Sequence, residues 1–136
     1  MKVDSKKYTE FVDAVTSQES KDYIAFNSRC FEIQSGDDGI PIHRLITAAL
    51  GMGAESGEFT EVVKKIVFQG KPVNEDNIFH MKRELGDIMW YVAQACMSLD
   101  TTIDEIIEMN VEKLQARYPG GSFDVHHSEN RAEGDV

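Results

Sequence analysis

Apolar residues recur at helical spacing in most segments of this chain. They lie three or four positions apart from Tyr8 to Val15 and from Tyr23 to Ile33, which predicts two amphipathic helices. A third, long helix is predicted from about His43 to Phe68. Three glycines in its middle lower its intrinsic stability by roughly 1 kcal/mol each relative to alanine. We interpret them as positions of close backbone approach rather than as a break.

Polar and glycine-rich segments mark the predicted connections between helices. Residues 34–41 contain two glycines and two aspartates and predict a loop, and residues 70–72, Gly-Lys-Pro, predict a turn. Asn74 is a favourable N-cap for a fourth helix that continues to about Leu99. The third and fourth helices are therefore expected to form an antiparallel pair at the centre of the fold.

The C-terminal region predicts one more main helix. Thr102 and Glu105 have the spacing of a capping box, and Pro119-Gly120-Gly121 is a strong stop signal. Residues 122–136 are polar and are expected to form a tail. Because no alternating strand pattern occurs, the predicted class is all-α. We expect one domain, residues 1–121, built as an antiparallel bundle of about four to five helices.

Composition narrows the range of partners and compartments. The net charge of -10 disfavours DNA or RNA as the main partner, but it permits a small phosphorylated ligand held through metal ions. The longest nearly apolar run, Ile88 to Met97, is too short to span a membrane. A charged N-terminal segment predicts no secretory signal. Cys30 and Cys96 form no motif and are expected to be reduced core residues of a cytoplasmic protein.

Two pairs of acidic residues carry the candidate chemistry. Glu55 and Glu58 lie in the predicted third helix, and Glu84 and Asp87 in the fourth, so each pair shares one helix face. When the helices fold back at residues 70–72, each inner acid lies roughly 14–17 Å from the turn and the four carboxylates meet. Carboxylates so close repel one another unless cations are bound, and oxygen ligands favour Mg²⁺ or Mn²⁺.

Acid pairs at this spacing are common on solvated helix faces, and two observations favour a site here. The fourth helix is apolar nearly all round, and we expect Trp90 to lie in the core. Gly57 and Gly86 are adjacent to the acids, where small residues let two helices approach. A carboxylate-bridged di-iron site is the runner-up, but it requires Glu-x-x-His on two helices, which this sequence lacks.

Three sequence blocks carry a resemblance to a known family. They are AALGMGAESGE (48–58), KRELGDIMWY (82–91) and NVEKLQARYP (110–119). In this order, and with 25 residues between Glu58 and Glu84, they resemble the signatures of the MazG-like, all-α nucleoside triphosphate pyrophosphohydrolases. The resemblance spans roughly residues 43–121. Residues 1–42 match less distinctly and are similar to compact phage or bacterial members.

The resemblance implies an activity and a metal site. Members hydrolyse (d)NTPs to (d)NMPs and diphosphate, and here a deoxynucleotide substrate is expected. The resemblance implies that Glu55, Glu58, Glu84 and Asp87 hold Mg²⁺ or Mn²⁺. Glu55 and Glu58 are the catalytic candidates, with Glu58 accepting a proton from the attacking water. The alternative is a helical module that binds metal, nucleotide or a partner protein without turnover.

Substrate contacts are implied in the same way. Asn110 completes the metal or phosphate shell, Lys113 and Arg117 meet the phosphates, and Tyr91 contacts the sugar or base. Without the resemblance, the cations at the end of the last helix are better explained as a solvated helix terminus.

One position departs from the family pattern. Many members carry lysine one turn before the third acid, where this chain has His80. This leaves a phosphate contact in doubt at that position, and Lys64 and Lys65 are candidates to replace it.

The apolar content predicts self-association. Large apolar residues exceed what a two-helix core can cover; examples are Phe11, Phe26, Phe59, Ile66 and Met97. A homodimer, or a homotetramer built from dimers, is therefore expected, as the resemblance also implies.

Overall fold

The computed structural model describes residues 3–130, and its regular elements are helices. These are α1 (Ser5–Val15), α2 (Tyr23–Ser35), α3 (Ile42–Phe68), α4 (Glu75–Ser98), α5 (Ile103–Arg117) and α6 (Val125–Glu129). Residues 3–130 contain no strand, so the all-α prediction is confirmed. The five longer helices match the predicted ones. The five-residue α6 lies in the segment predicted to be a tail, whose residues 131–136 are outside the described part.

The chain divides into two compact units at the boundary between His43 and Arg44. The single domain predicted over residues 1–121 stays a prediction. In the first unit, the carboxylates of Asp4 and Asp22 accept backbone N–H bonds and cap α1 and α2. The Lys21 ammonium donates to the Asp13 main-chain carbonyl at 2.7 Å, which ties the 3₁₀ turn after α1 to the end of that helix.

In the second unit, the reversal between α3 and α4 is built by local bonds. Gly70 has φ of +70°, a conformation that favours glycine. The Lys71 N–H donates to the Lys65 carbonyl at 3.1 Å, closing the end of α3. Asn74 caps α4 by accepting the Asn77 N–H at 2.9 Å. The turn and the N-cap predicted from the sequence are both confirmed.

Contacts between α3 and α4 show that the two helices run antiparallel. The Arg44 guanidinium donates to the Met97 sulfur at 2.8 Å near the end away from the turn. Midway along, Gly51 packs against Tyr91 so closely that a Cβ atom there would overlap the tyrosine ring. These contacts pair the start of α3 with the end of α4.

The start of α5 is fixed by the predicted capping box. The Thr102 hydroxyl accepts the Glu105 N–H at 3.2 Å, and the Thr102 N–H donates to the Glu105 carboxylate at 2.8 Å. The Thr101 hydroxyl also donates to that carboxylate, at 2.7 Å.

Among residues 3–130, no helix combines the length and hydropathy that a membrane span requires.

Few side chains of the described chain are buried. The buried apolar residues are Ala48, Val62 and Cys96, whereas Cys30 is only partly covered. The prediction that Trp90 lies in the core is wrong within this chain, since the residue is 56% exposed. Its neighbour Tyr91 faces α3, and successive residues of a helix point about 100° apart, so Trp90 points away from that contact.

Candidate metal centre

Helices α3 and α4 bring three carboxylates together. Glu55 and Glu58, one turn apart on α3, and Glu84 on α4 each offer an oxygen, and these oxygens lie within 4.8 Å of one another. We call these three residues the carboxylate cluster. It is the one group of this kind within residues 3–130. The antiparallel arrangement therefore brings together three of the four acids that the spacing predicted to meet.

The carboxylate cluster ranges from buried to open. Glu84 is buried, with 8% of its side chain exposed, Glu55 is half-buried and Glu58 is exposed. Loss of hydration raises the pKa of Glu55, and the negative charges of Glu58, Asp87 and Glu84 and a hydrogen bond to Glu84 raise that pKa further. Bringing these acids together therefore carries an electrostatic cost that a bound cation would relieve.

Asp87 stands apart from the other three acids. It is exposed, and its oxygens are not part of the group that lies within 4.8 Å. Its charge is nevertheless close enough to contribute to the raised pKa of Glu55. Asp87 therefore lies at the edge of the carboxylate cluster, and its role as a metal ligand stays a prediction.

The donor set fits a small divalent cation. Opposite oxygens around an octahedral Mg²⁺ lie about 4.2 Å apart, twice the metal–oxygen distance of about 2.1 Å. The three cluster oxygens, all within 4.8 Å of one another, would draw closer on binding such an ion, since neighbouring ligands of an octahedral ion lie only about 3 Å apart. The exposed Glu58 leaves one side of the cluster accessible, as a catalytic metal requires.

His80 has a partner, Glu84, that was not predicted from the sequence. The Nε2 atom of His80 lies 2.9 Å from Oε1 of Glu84, one turn further along α4. The signal was present in the spacing, because residues four apart on a helix are neighbours. The prediction for this position concerned phosphate binding, because many family members carry a lysine there.

The expectation about Gly57 and Gly86 is wrong within this chain. A Cβ atom built at either position would meet nothing within 4 Å, so neither glycine is needed for α3 and α4 to approach. The close approach occurs at Gly51, six residues before Gly57. The reason is geometric, because the aromatic ring of Tyr91 occupies the space that a side chain at Gly51 would take.

Two predicted substrate residues have partners within the chain. Tyr91 packs on Gly51 and meets Trp90 edge-to-face, with ring centroids 4.9 Å apart. Lys65 forms an ion pair with Glu61 at 3.0 Å along α3. Tyr91 thus holds the helix pair together, and its contact with a nucleotide stays a prediction, as does that of Lys65.

The remaining predicted substrate residues lie on α5. Asn110 and Lys113 are exposed and line a shallow depression of about 320 Å³ together with Ile106 and Met109. None of the three cluster acids lines this depression. Arg117 is half-buried at the C-terminal end of the helix. We call Asn110, Lys113 and Arg117 the α5 stripe; its contact with phosphates stays a prediction.

Comparison with known proteins identifies the family of this chain. The sequence model of the MazG nucleotide pyrophosphohydrolase domain matches residues 45–122, a range that contains every predicted site residue. The Gene 37 protein of Mycobacterium phage L5 is 37% identical over 81 residues, which are 59% of this chain and 71% of that protein. No solved structure matches the chain. The resemblance drawn from the three sequence blocks is thereby confirmed.

Proposed function

The chain belongs to the MazG nucleotide pyrophosphohydrolase family, and from this premise we propose that it hydrolyses deoxynucleoside triphosphates to the monophosphate and diphosphate. The family membership implies nucleotide pyrophosphohydrolase activity in general. The preference for deoxynucleotides and the dependence on Mg²⁺ or Mn²⁺ belong to the proposal.

One observation carries the proposal. Three carboxylates from two helices converge within 4.8 Å, one of them buried and one with a raised pKa. Acids without a ligand to bind more often spread over a solvated surface, where their repulsion is screened. Their convergence is the arrangement that binding of Mg²⁺ or Mn²⁺ and triphosphate requires.

In the proposed mechanism, Glu55, Glu58 and Glu84 hold the metal, with Asp87 at the edge. A bound divalent ion would neutralise negative charge on the phosphates and lower the pKa of a water bound to it. Glu58, the exposed member of the cluster, accepts the proton of the attacking water. The new bond joins the water oxygen to phosphorus, and the phosphoanhydride bond breaks to release diphosphate.

The α5 stripe binds the phosphates in this proposal. Lys113 offers a compact point charge, and Arg117 a planar fork that matches two phosphate oxygens. Asn110 supplies amide groups on the same helix face, three residues before Lys113. These contacts stabilise the leaving diphosphate, whose charge grows as the bond breaks.

The direct test is diphosphate release from a panel of canonical and modified dNTPs and NTPs with Mg²⁺ or Mn²⁺. We expect turnover that needs the metal and favours deoxynucleotides, with the base preference read from the panel. Binding of nucleotide and metal without release of diphosphate would favour the non-catalytic module instead. Release from ribonucleotides alone would contradict the proposed sugar preference while keeping the reaction.

We further propose that the working form is a homodimer or a homotetramer built from dimers. The support is the exposed apolar surface: Phe11 and Met97 are each 62% exposed, and no large side chain of residues 3–130 is fully buried. At roughly 25 cal/mol per Å², such surface favours association strongly. Sedimentation equilibrium at micromolar concentration should give two or four times the chain mass. A mass equal to one chain would contradict this.

A further inference from the structure

We propose that His80 is a positioning residue for the metal ligand Glu84, holding one oxygen of that carboxylate so that the other faces Glu55 and Glu58. The inference rests on the metal site of the proposed function. It assigns a role to the position at which this chain departs from the lysine of many family members.

The contact itself is short and well defined. His80 Nε2 and Glu84 Oε1 are 2.9 Å apart, within the range of a charge-assisted hydrogen bond. An ionised carboxylate has acceptors only, so the imidazole nitrogen facing it carries the proton and donates. The two residues lie four apart on α4, and the helix backbone therefore fixes the distance between them.

Burial makes this contact important for Glu84. Only 8% of the Glu84 side chain is exposed, against 46% for His80. Water therefore reaches the carboxylate poorly, and a buried charged oxygen without a donor is costly. The imidazole supplies that donor from the solvent side of α4.

The geometry also divides the two oxygens of Glu84 between two tasks. In the proposed arrangement His80 holds Oε1 of Glu84, Oε2 serves the cluster, and Glu84 would bind a cation through a single oxygen. A carboxylate held at one oxygen cannot rotate freely about its last bond, so the ligating oxygen keeps its direction before the metal arrives. Hydrogen bonds of this kind to ligating groups typically change metal affinity by about 10- to 100-fold.

A set of four variants tests the role. His80→Ala removes the donor. His80→Gln places an amide N–H as many bonds from Cα as Nε2, whereas His80→Asn places the same group one bond short. His127→Ala is the matched control, because it removes another histidine–carboxylate hydrogen bond of 2.9 Å, to Asp124, outside the site.

The primary measurement is the affinity of the full-length, metal-stripped protein for Mn²⁺ alone, by titration calorimetry. All variants are titrated at one fixed pH, so that their affinities can be compared directly. We expect His80→Ala and His80→Asn to weaken Mn²⁺ binding by about tenfold or more. His80→Gln should stay close to wild type, and His127→Ala should be unchanged. Circular dichroism in EDTA checks that each variant keeps its helices.

The results that would contradict the positioning role can be told apart from those that would contradict the metal site. Wild-type Mn²⁺ affinity in His80→Ala, or equal losses in His80→Gln and His80→Asn, would overturn the positioning role alone. If His80 has only a structural role, His80→Ala should lower the melting temperature in EDTA and leave the Mn²⁺ affinity unchanged. That result would also overturn the positioning role. Should His80→Ala unfold, the glutamine and asparagine variants decide between the outcomes. Absence of Mn²⁺ binding by the wild-type protein would overturn the proposed metal site together with this inference.

Discussion

The carboxylate cluster was predicted from the spacing of acidic residues and the α5 stripe from the family resemblance, and the structure brings together only the first. Glu55, Glu58 and Glu84 meet within 4.8 Å across the α3–α4 pair. Asn110 and Lys113 lie exposed on α5, in a depression that none of these acids lines. The first group is assembled within the chain, whereas the contact of the second with phosphates stays a prediction.

The difference follows from what connects the elements. A short reversal at Gly70 joins α3 to α4, and local hydrogen bonds fix it, so residues equally far from the turn must meet. The face of α5 that carries the stripe also exposes apolar groups, with Met109 at 63% exposure. Within residues 3–130, no short turn of this kind brings the α5 stripe to the carboxylate cluster, so its relation to the acids does not follow from local sequence.

The largest expected effect lies in the cluster. Glu58→Gln keeps the size of the side chain but removes the charge and the proton acceptor, and we expect kcat to fall at least ~10²-fold. Steady-state diphosphate release, with circular dichroism on the same sample, measures this. Glu61→Gln, one turn along α3 in an ion pair with Lys65, is the control and should lose far less. A folded Glu58→Gln with wild-type kcat would exclude the proposed mechanism.

The second prediction concerns the contact that fixes the register of α3 and α4. Gly51→Ala forces a methyl group into the ring of Tyr91, and we expect the free energy of unfolding to fall by about 2 kcal/mol, as overpacking typically does. Gly53→Ala, where a Cβ meets nothing within 4 Å, should be neutral or stabilising. Denaturant unfolding of both variants measures the difference. Equal stabilities would show that the ring moves aside without cost.

The third prediction tests the α5 stripe. Lys113→Ala removes a proposed phosphate contact, and we expect kcat/KM to fall about tenfold, equivalent to about 1.4 kcal/mol, through a raised KM and a lowered kcat, since the contact strengthens on the leaving diphosphate. Lys82→Ala removes a lysine of α4 to which we assign no role, and should change kcat/KM little. Initial rates over a range of dNTP concentrations separate the two parameters. An unchanged kcat/KM in Lys113→Ala would show that Lys113 belongs to an ordinary solvated helix end and does not bind phosphate.

The smallest expected effect concerns the cap of α5. The Thr101 hydroxyl, and then the Thr102 N–H, lower the pKa of Glu105. A lowered folded-state pKa means that this contribution to stability is present above the ordinary value of 4.5 and is lost as pH falls through the lowered pKa.

We therefore expect Glu105→Ala to be less stable than wild type at pH about 7, with the gap narrowing as pH falls below about 4.5. Denaturant midpoints followed by circular dichroism at several pH values give the comparison. Glu108→Ala, one turn along α5 and outside the cap, controls for the loss of charge alone. A gap that does not depend on pH would assign the effect to helix propensity.

Most of the helices were predictable because their signals are local. Asn74 and Thr102 cap α4 and α5 as predicted, through bonds to residues three positions further along the chain. The carboxylate cluster was predictable for a similar reason, since its acids belong to two pairs that lie on either side of one short turn. Predictions about side-chain surroundings fared worse. Trp90 is exposed, and Gly57 and Gly86 are not points of close approach.

The sequence by itself determined the all-α class, the positions of the five longer helices and the meeting of three of the four acids, because helix periodicity, capping and turn chemistry act over a few residues. The three sequence blocks indicated the family. Only the tertiary structure decided that Glu84 is the buried acid and that Asp87 lies at the edge of the cluster. Spacing fixes which residues share a helix face. The rotation of each helix against its neighbour, which packing at Gly51 and Tyr91 sets, decides how deeply each one is buried.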